Sequence, residues 1–135
     1  MSELQIVIYC LIISVILPFV AKVPLAHAMR QVGSGNIRGY DNEEPRSQQK
    51  KLSGFGARCL AAHENSFEAI IIFAPSVLLA IATDNLSRDI TLLSCGFIAA
   101  RCCYLFFYWV NWDKLRSLSW GIGMGCCIAI MLRCL

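Results

Sequence analysis

Charge is scarce in this sequence: Asp, Glu, Lys and Arg make up 16% of its 135 residues, against about 25% in an ordinary soluble domain. With 57% hydrophobic residues and a mean hydropathy of +0.59, the chain carries more apolar surface than a soluble domain of this length buries. It reads as one membrane domain covering residues 1–135. Basic runs interleaved with aromatics are missing and the net charge is only +3, which excludes a nucleic-acid surface. Metal-ligand spacing is missing too. The eight cysteines show neither CxxC nor a Cys/His pattern, and the adjacent pairs Cys102-Cys103 and Cys126-Cys127 diverge by about 100° on a helix. No metal site is expected; the cysteines read as small buried hydrophobes and identify no redox compartment.

A basic leader is also absent. Glu3 is the only charged side chain in residues 1–5, and the apolar run behind it is longer than a signal-peptide core. The first helix is therefore expected to stay attached, despite the small-x-small triplet Ala26-His27-Ala28.

What remains is four apolar stretches: Leu4–Ala21, Ala69–Ala82, Ile90–Val110 and Leu118–Leu135. A span needs roughly 20 residues, so the second must recruit a polar leader from about Ala57. The expected fold is all-α, an integral membrane four-helix bundle with helices over about 4–29, 57–82, 88–110 and 117–135. A polar loop over about 30–56 holds Gly33, Gly35, Gly39 and Pro45 as helix breakers. Nine of the twelve Lys and Arg (Lys22, Arg30, Arg38, Arg46, Lys50, Lys51, Arg58, Lys114, Arg116) fall at one end of such a bundle, and only Arg88 and Arg133 at the other. Both termini are thus expected on the non-cytoplasmic side.

The polar leader "RCLAAHENSFEA", residues 58–69, is where the chain spends its scarce charge. At 100° per residue Asn65 lies about −20° and Glu68 about −80° from Arg58, one shared stripe, while His63 and Glu64 point elsewhere. Glu68 is roughly 15 Å along the helix from Arg58, where an unpaired carboxylate would be strongly destabilising in lipid. Arg101 on the third span, sharing a face with Tyr104 and Tyr108, is its natural partner. Two readings of that pair stand open: a salt bridge that sets bundle register, or part of a site for a charged ligand. Arg58, Asn65, Tyr108, Arg116 and Ser117 would converge at the basic end of the bundle, more hydrogen-bonding capacity than a register device needs. Taken singly, Arg116 also reads as a snorkelling interfacial cation, Ser117 as the N-cap of the fourth helix, and Trp109, Trp112 and Trp120 as an interfacial belt.

The leader followed by "IIIFAP", with "ARCCYLFFYW" and "KLRSLSW" in order behind it, resembles the membrane-associated proteins in eicosanoid and glutathione metabolism, the MAPEG family, and in particular its small bacterial members. The resemblance implies a homotrimer in the bacterial inner membrane, both termini periplasmic, with sites between subunits. It also implies glutathione as co-substrate and a transferase or peroxidase activity on a lipophilic small molecule arriving from the membrane lipid. Asn65 and Glu68 would be polar contacts to glutathione, with Tyr104 and Tyr108 facing it from the next helix and Arg116 with Ser117 beside the sulfur as catalytic groups; the reading of the residues adds Arg101 to the substrate-binding set, and Arg58, about one turn before Ala61, as a partial substitute for the arginine common there. Two positions depart from the family pattern: Ala61 and Glu64 stand where arginine or another base is common. A non-catalytic trimer binding lipid or a partner is the alternative.

Overall fold

The computed structural model describes residues 1–36 and 38–135. It contains five helices among them: α1 (Glu3–Val32), α2 (Pro45–Gln49), α3 (Gly54–Ala82), α4 (Arg88–Trp109) and α5 (Asp113–Leu132). All but α2 are long and apolar enough to cross a membrane. The protein is an all-α integral membrane bundle. α4 packs chiefly on α5, its neighbour across a short turn, whereas α1 packs chiefly on α3 across the long polar connection.

The helix starts are built from side chains that were open to reading. Ser2 Oγ accepts from Gln5 N (3.2 Å) while Gln5 Oε1 accepts from Ser2 N (2.9 Å), a reciprocal capping box. Ser87 caps α4 through Ile90 N. α5 begins at Asp113, four residues ahead of the expected start, so Ser117 is not an N-cap: its hydroxyl donates to Asp113 O one turn back (3.1 Å). In the core Phe73 stacks on Phe97 with centroids 4.0 Å apart, locking α3 to α4.

The outward faces are apolar, with Ile71, Leu92, Leu118 and Leu132 each more than half exposed on the single chain. Apolar faces of this extent mark membrane or subunit contact. The cysteines correct the expectation that all are buried: Cys10, Cys59 and Cys127 are, but Cys95, Cys102 and Cys103 are exposed. A thiol is apolar enough for the lipid side of a span, so hydrophobicity alone did not locate it.

The polar connection after α1 is a folded cap. Gln48 is fully buried, and its amide is saturated: Nε2 donates to Met29 O (3.0 Å) and Gly39 O (2.7 Å), and Oε1 accepts from Asp41 N (3.0 Å). One side chain thereby ties α2 and the loop to the C-terminal turn of α1. Asp41 Oδ1 accepts from Glu44 N (2.9 Å) and Glu43 N (3.0 Å), leading into α2 with Pro45 at its first position. The Glu44 N–H, foremost, and then that of Glu43 hold the Asp41 carboxyl below the ordinary carboxylate range. Gln48→Leu strands the Asp41 N–H and the Gly39 carbonyl and takes one of two donors from Met29 O, which keeps Gly33 N, and is expected to loosen the cap by about 2 to 3 kcal/mol. Trypsin should then cut faster at Arg38, Arg46, Lys50 and Lys51; unchanged cleavage would refute the role of Gln48.

Candidate functional site

Arg101 is the most deeply buried charged side chain of the bundle at 3% exposure, and its environment organises the site. Its Nη2 donates to Asn65 Oδ1 (3.0 Å) and, more weakly, to Asn65 O (3.4 Å). Asn65 Nδ2 donates to Glu68 Oε2 (2.7 Å). The expected direct contact between Arg101 and Glu68 is therefore absent. Asn65 stands between them, its carbonyl end toward the cation and its amino end toward the anion, so the amide dipole is aligned with both charges. Among the described residues the one ion pair is Arg133 with Asp89, at the opposite end of α4 and α5, an exposed pair of small energetic consequence.

On its other side the Arg101 guanidinium lies over the Tyr104 ring, 4.2 Å from Cζ to centroid. Tyr104 meets Tyr108 edge to face at 5.3 Å, and the Arg116 guanidinium covers Tyr108 at 4.4 Å. The i, i+3, i+7 spacing along α4 builds this column, and the α4–α5 turn delivers Arg116 to its end. Six of the eight residues singled out from the sequence thus form one chain of contacts: Glu68, Asn65, Arg101, Tyr104, Tyr108 and Arg116. The remaining two lie outside it. Arg58 reaches over the Phe55 ring at 5.9 Å, with its Nε buried and without a partner; Ser117 is exposed and engaged only with its own helix.

The column is closed on the inside and open on the outside. The cavity against Arg101, lined by Ala69, Phe97, Trp120, Gly123 and Cys127, measures about 20 Å³, room for a water or so and for nothing the size of a peptide. Glu68 and Ser117, by contrast, are exposed and Arg116 is half-buried. Any larger ligand would approach from the outer surface of the chain.

His63, which the helical period sets off the Arg58 stripe, holds two helices together. Its Nδ1 donates to Pro18 O on α1 (2.8 Å). A carbonyl only accepts, so the proton is on Nδ1. Neither this bond nor the Gln48 lock was visible in the one-dimensional pattern, since both reach across elements far apart in the chain.

The MAPEG family model matches residues 6–135. No curated protein and no solved structure matches the chain. The match takes in all four spans and the folded cap, with the polar leader of α3, the tyrosine column of α4 and the α4–α5 turn in sequence, and on that extent of agreement the chain belongs to the MAPEG family.

Proposed function

We propose that the column from Glu68 to Arg116 is one wall of a glutathione site, completed by a second copy in a homotrimer, and that the protein is a glutathione-dependent transferase or peroxidase acting on a lipophilic electrophile. The carrying observation is the continuous run of charged, amide and aromatic groups from a buried guanidinium to the outer surface. A polypeptide that needed only register would have no use for Arg116 and Tyr108 at its exposed end. Family membership supports glutathione chemistry in general, and the narrow cavity inside one subunit supports a site between copies.

The roles follow from the chemistry of the sulfur. A thiol of pKa about 8.5 is mostly protonated at neutral pH, so a nearby cation or hydroxyl donor is needed to favour the thiolate. Arg116 supplies the cation and Ser117 a donor. Asn65, Glu68 and Arg101 bind the polar backbone of the tripeptide, Tyr104 and Tyr108 face it, and Arg58, whose Nε has no partner, replaces the cation lost where Ala61 stands. In transfer, the thiolate attacks carbon and a leaving group departs. In peroxide reduction it attacks the distal oxygen, releasing an alcohol, and a second glutathione resolves the sulfenic intermediate to the disulfide.

Glutathione binding to the detergent-purified chain, together with initial rates on an aromatic electrophile and a lipid hydroperoxide against a heat-treated control, tests the reading. Saturable binding near one site per subunit and rates above the control are expected. Their absence favours a non-catalytic trimer, the reading to which the internally satisfied Asn65 bridge lends weight.

The same proposal takes the bacterial inner membrane from the family resemblance and puts both termini on the periplasmic side, which the nine-to-two distribution of Lys and Arg supports. A C-terminal reporter active only in the cytoplasm should stay silent, and a bright one would reverse the topology.

A further inference from the structure

A second polar concavity lies at the same end of the bundle but on another side of α3. At 100° per residue, Leu60, His63 and Phe67 point about 140 to 160° away from Asn65, and they form one wall of a cavity of about 350 Å³. α1 contributes Lys22, and the cap contributes Arg46 and Gln49. The volume falls at the lower end of the roughly 300–1,000 Å³ typical of ligand pockets.

Its charges are unusual for this chain. Lys22, Arg46 and Glu64 all line the cavity, and none has an ion-pair partner among the described residues. Lys22 instead hangs over the Tyr40 ring, 5.8 Å from its centroid. His63 donates its Nδ1 proton to Pro18 O, which fixes the ring against the cavity wall. Two cations and a carboxylate therefore line one cavity without pairing with one another, a pattern complementary to a ligand that carries both an anion and an N–H cation.

The depth of the cavity identifies where such a ligand resides. The apolar run of α1 from Leu4 to Ala21 is about 27 Å long at about 1.5 Å per residue, close to the hydrocarbon thickness, and Lys22 is the first residue beyond it. Lys22, Glu64 and Arg46 thus sit at headgroup level, with Leu60 and Phe67 on the wall beside them.

We propose that this cavity binds one phospholipid with a phosphate–primary-ammonium headgroup, as in phosphatidylethanolamine. Lys22 and Arg46 donate to the phosphodiester, and Glu64 accepts from the ammonium. Phosphatidylcholine has no N–H to give Glu64, and phosphatidylglycerol no cation.

The test uses full-length protein, delipidated in detergent and incubated with an equimolar mixture of phosphatidylethanolamine, phosphatidylglycerol and phosphatidylcholine, with tightly retained lipid counted by native mass spectrometry. About one phosphatidylethanolamine per chain is expected, enriched about tenfold over the other two, as one charge-assisted hydrogen bond implies. Glu64→Gln should abolish that preference while phospholipid is still retained, and Arg46→Gln should lower retention of all three about tenfold. Arg133→Gln, at the other end of the bundle, should leave the pattern of the unaltered protein. Equal retention of the three lipids by the unaltered protein, or a preference that survives Glu64→Gln, overturns the proposal. Displacement of the retained lipid by micromolar free O-phosphoethanolamine overturns it too, by moving the ligand into the soluble phase.

Discussion

Replacing Asn65 by Leu should cost the bundle about 3 to 5 kcal/mol, the penalty for stranding a buried charge. The guanidinium of Arg101, 3% exposed, would lose its 3.0 Å acceptor, and no carboxylate stands within ion-pair distance among the described residues to replace it; the adjoining cavity of about 20 Å³ has room for one water at most. Unfolding of the detergent-solubilised protein by heat or by titration with a denaturing detergent would register the loss as a lowered midpoint. Adding Arg101→Met should restore a large part, because an apolar pair of similar volume needs no partner. The geometry also predicts that Glu68→Gln alone is mild. Asn65 Nδ2 would still find an oxygen at position 68, and Glu68 is exposed on the single chain. Strict additivity of Asn65→Leu and Arg101→Met would mean that Arg101 is compensated elsewhere. A large loss from Glu68→Gln would mean that the carboxylate, and not the amide, carries the charge balance.

That difference marks how far the sequence could be read. Four spans and the loop between the first two were legible from apolar runs alone, because a 20-residue stretch poor in charge has few alternatives to crossing a bilayer. The grouping of Arg101, Tyr104 and Tyr108 was legible from the helical period, which fixes neighbours along one helix. Which of Asn65 and Glu68 meets Arg101 was not. They lie about 60° apart on α3, and the rotation of α3 against α4 that chooses between them is set by the packing of residues such as Phe73 on Phe97. Ser117 moved from cap to second turn for a related reason: the helix signal of Leu118 onward is strong, while the turn that precedes it, starting at Asp113, is polar and exposed.

The cap shows the opposite balance. In "DNEEP", residues 41–45, Pro45 reads as a helix breaker, yet it opens α2 at the first position, where its missing N–H costs nothing. Gln48 looked like one more polar loop residue, yet it is fully buried, since its value depends on Met29 and Gly39, 19 and 9 residues away. The charges of the headgroup cavity are likewise drawn from three elements. In the sequence the outermost two are 42 residues apart, and the fold brings Lys22, Arg46 and Glu64 to the wall of one cavity.

On the proposed chemistry, Arg116→Ala should lower kcat/KM by on the order of 10²-fold, about 3 kcal/mol, the usual cost of deleting one preorganised donor at a resting or developing anion. Arg116 stands where α5 leaves the α4–α5 turn, held face-on against Tyr108 at 4.4 Å, so its position is set before any ligand arrives. Removing it should also raise the pKa of bound glutathione, followed through thiolate absorbance in the ultraviolet, because the cation that favours the charged form is gone. The sign fixes the pH dependence: the loss of rate should be largest near neutral pH and shrink as pH rises, where the thiol ionises without help. Arg116→Lys keeps the charge but not the flat contact with the tyrosine ring, and should fall between the two. Ser117→Ala should cost less than Arg116→Ala, since the Ser117 hydroxyl is already committed to Asp113 O at 3.1 Å; an equal cost would make the hydroxyl the principal donor. Arg133→Ala, at the far end of the bundle and paired with Asp89, should leave rate and titration unchanged. Full activity in Arg116→Ala with an unaltered thiol titration would remove Arg116 from the chemistry and leave the column a structural element of a non-catalytic protein.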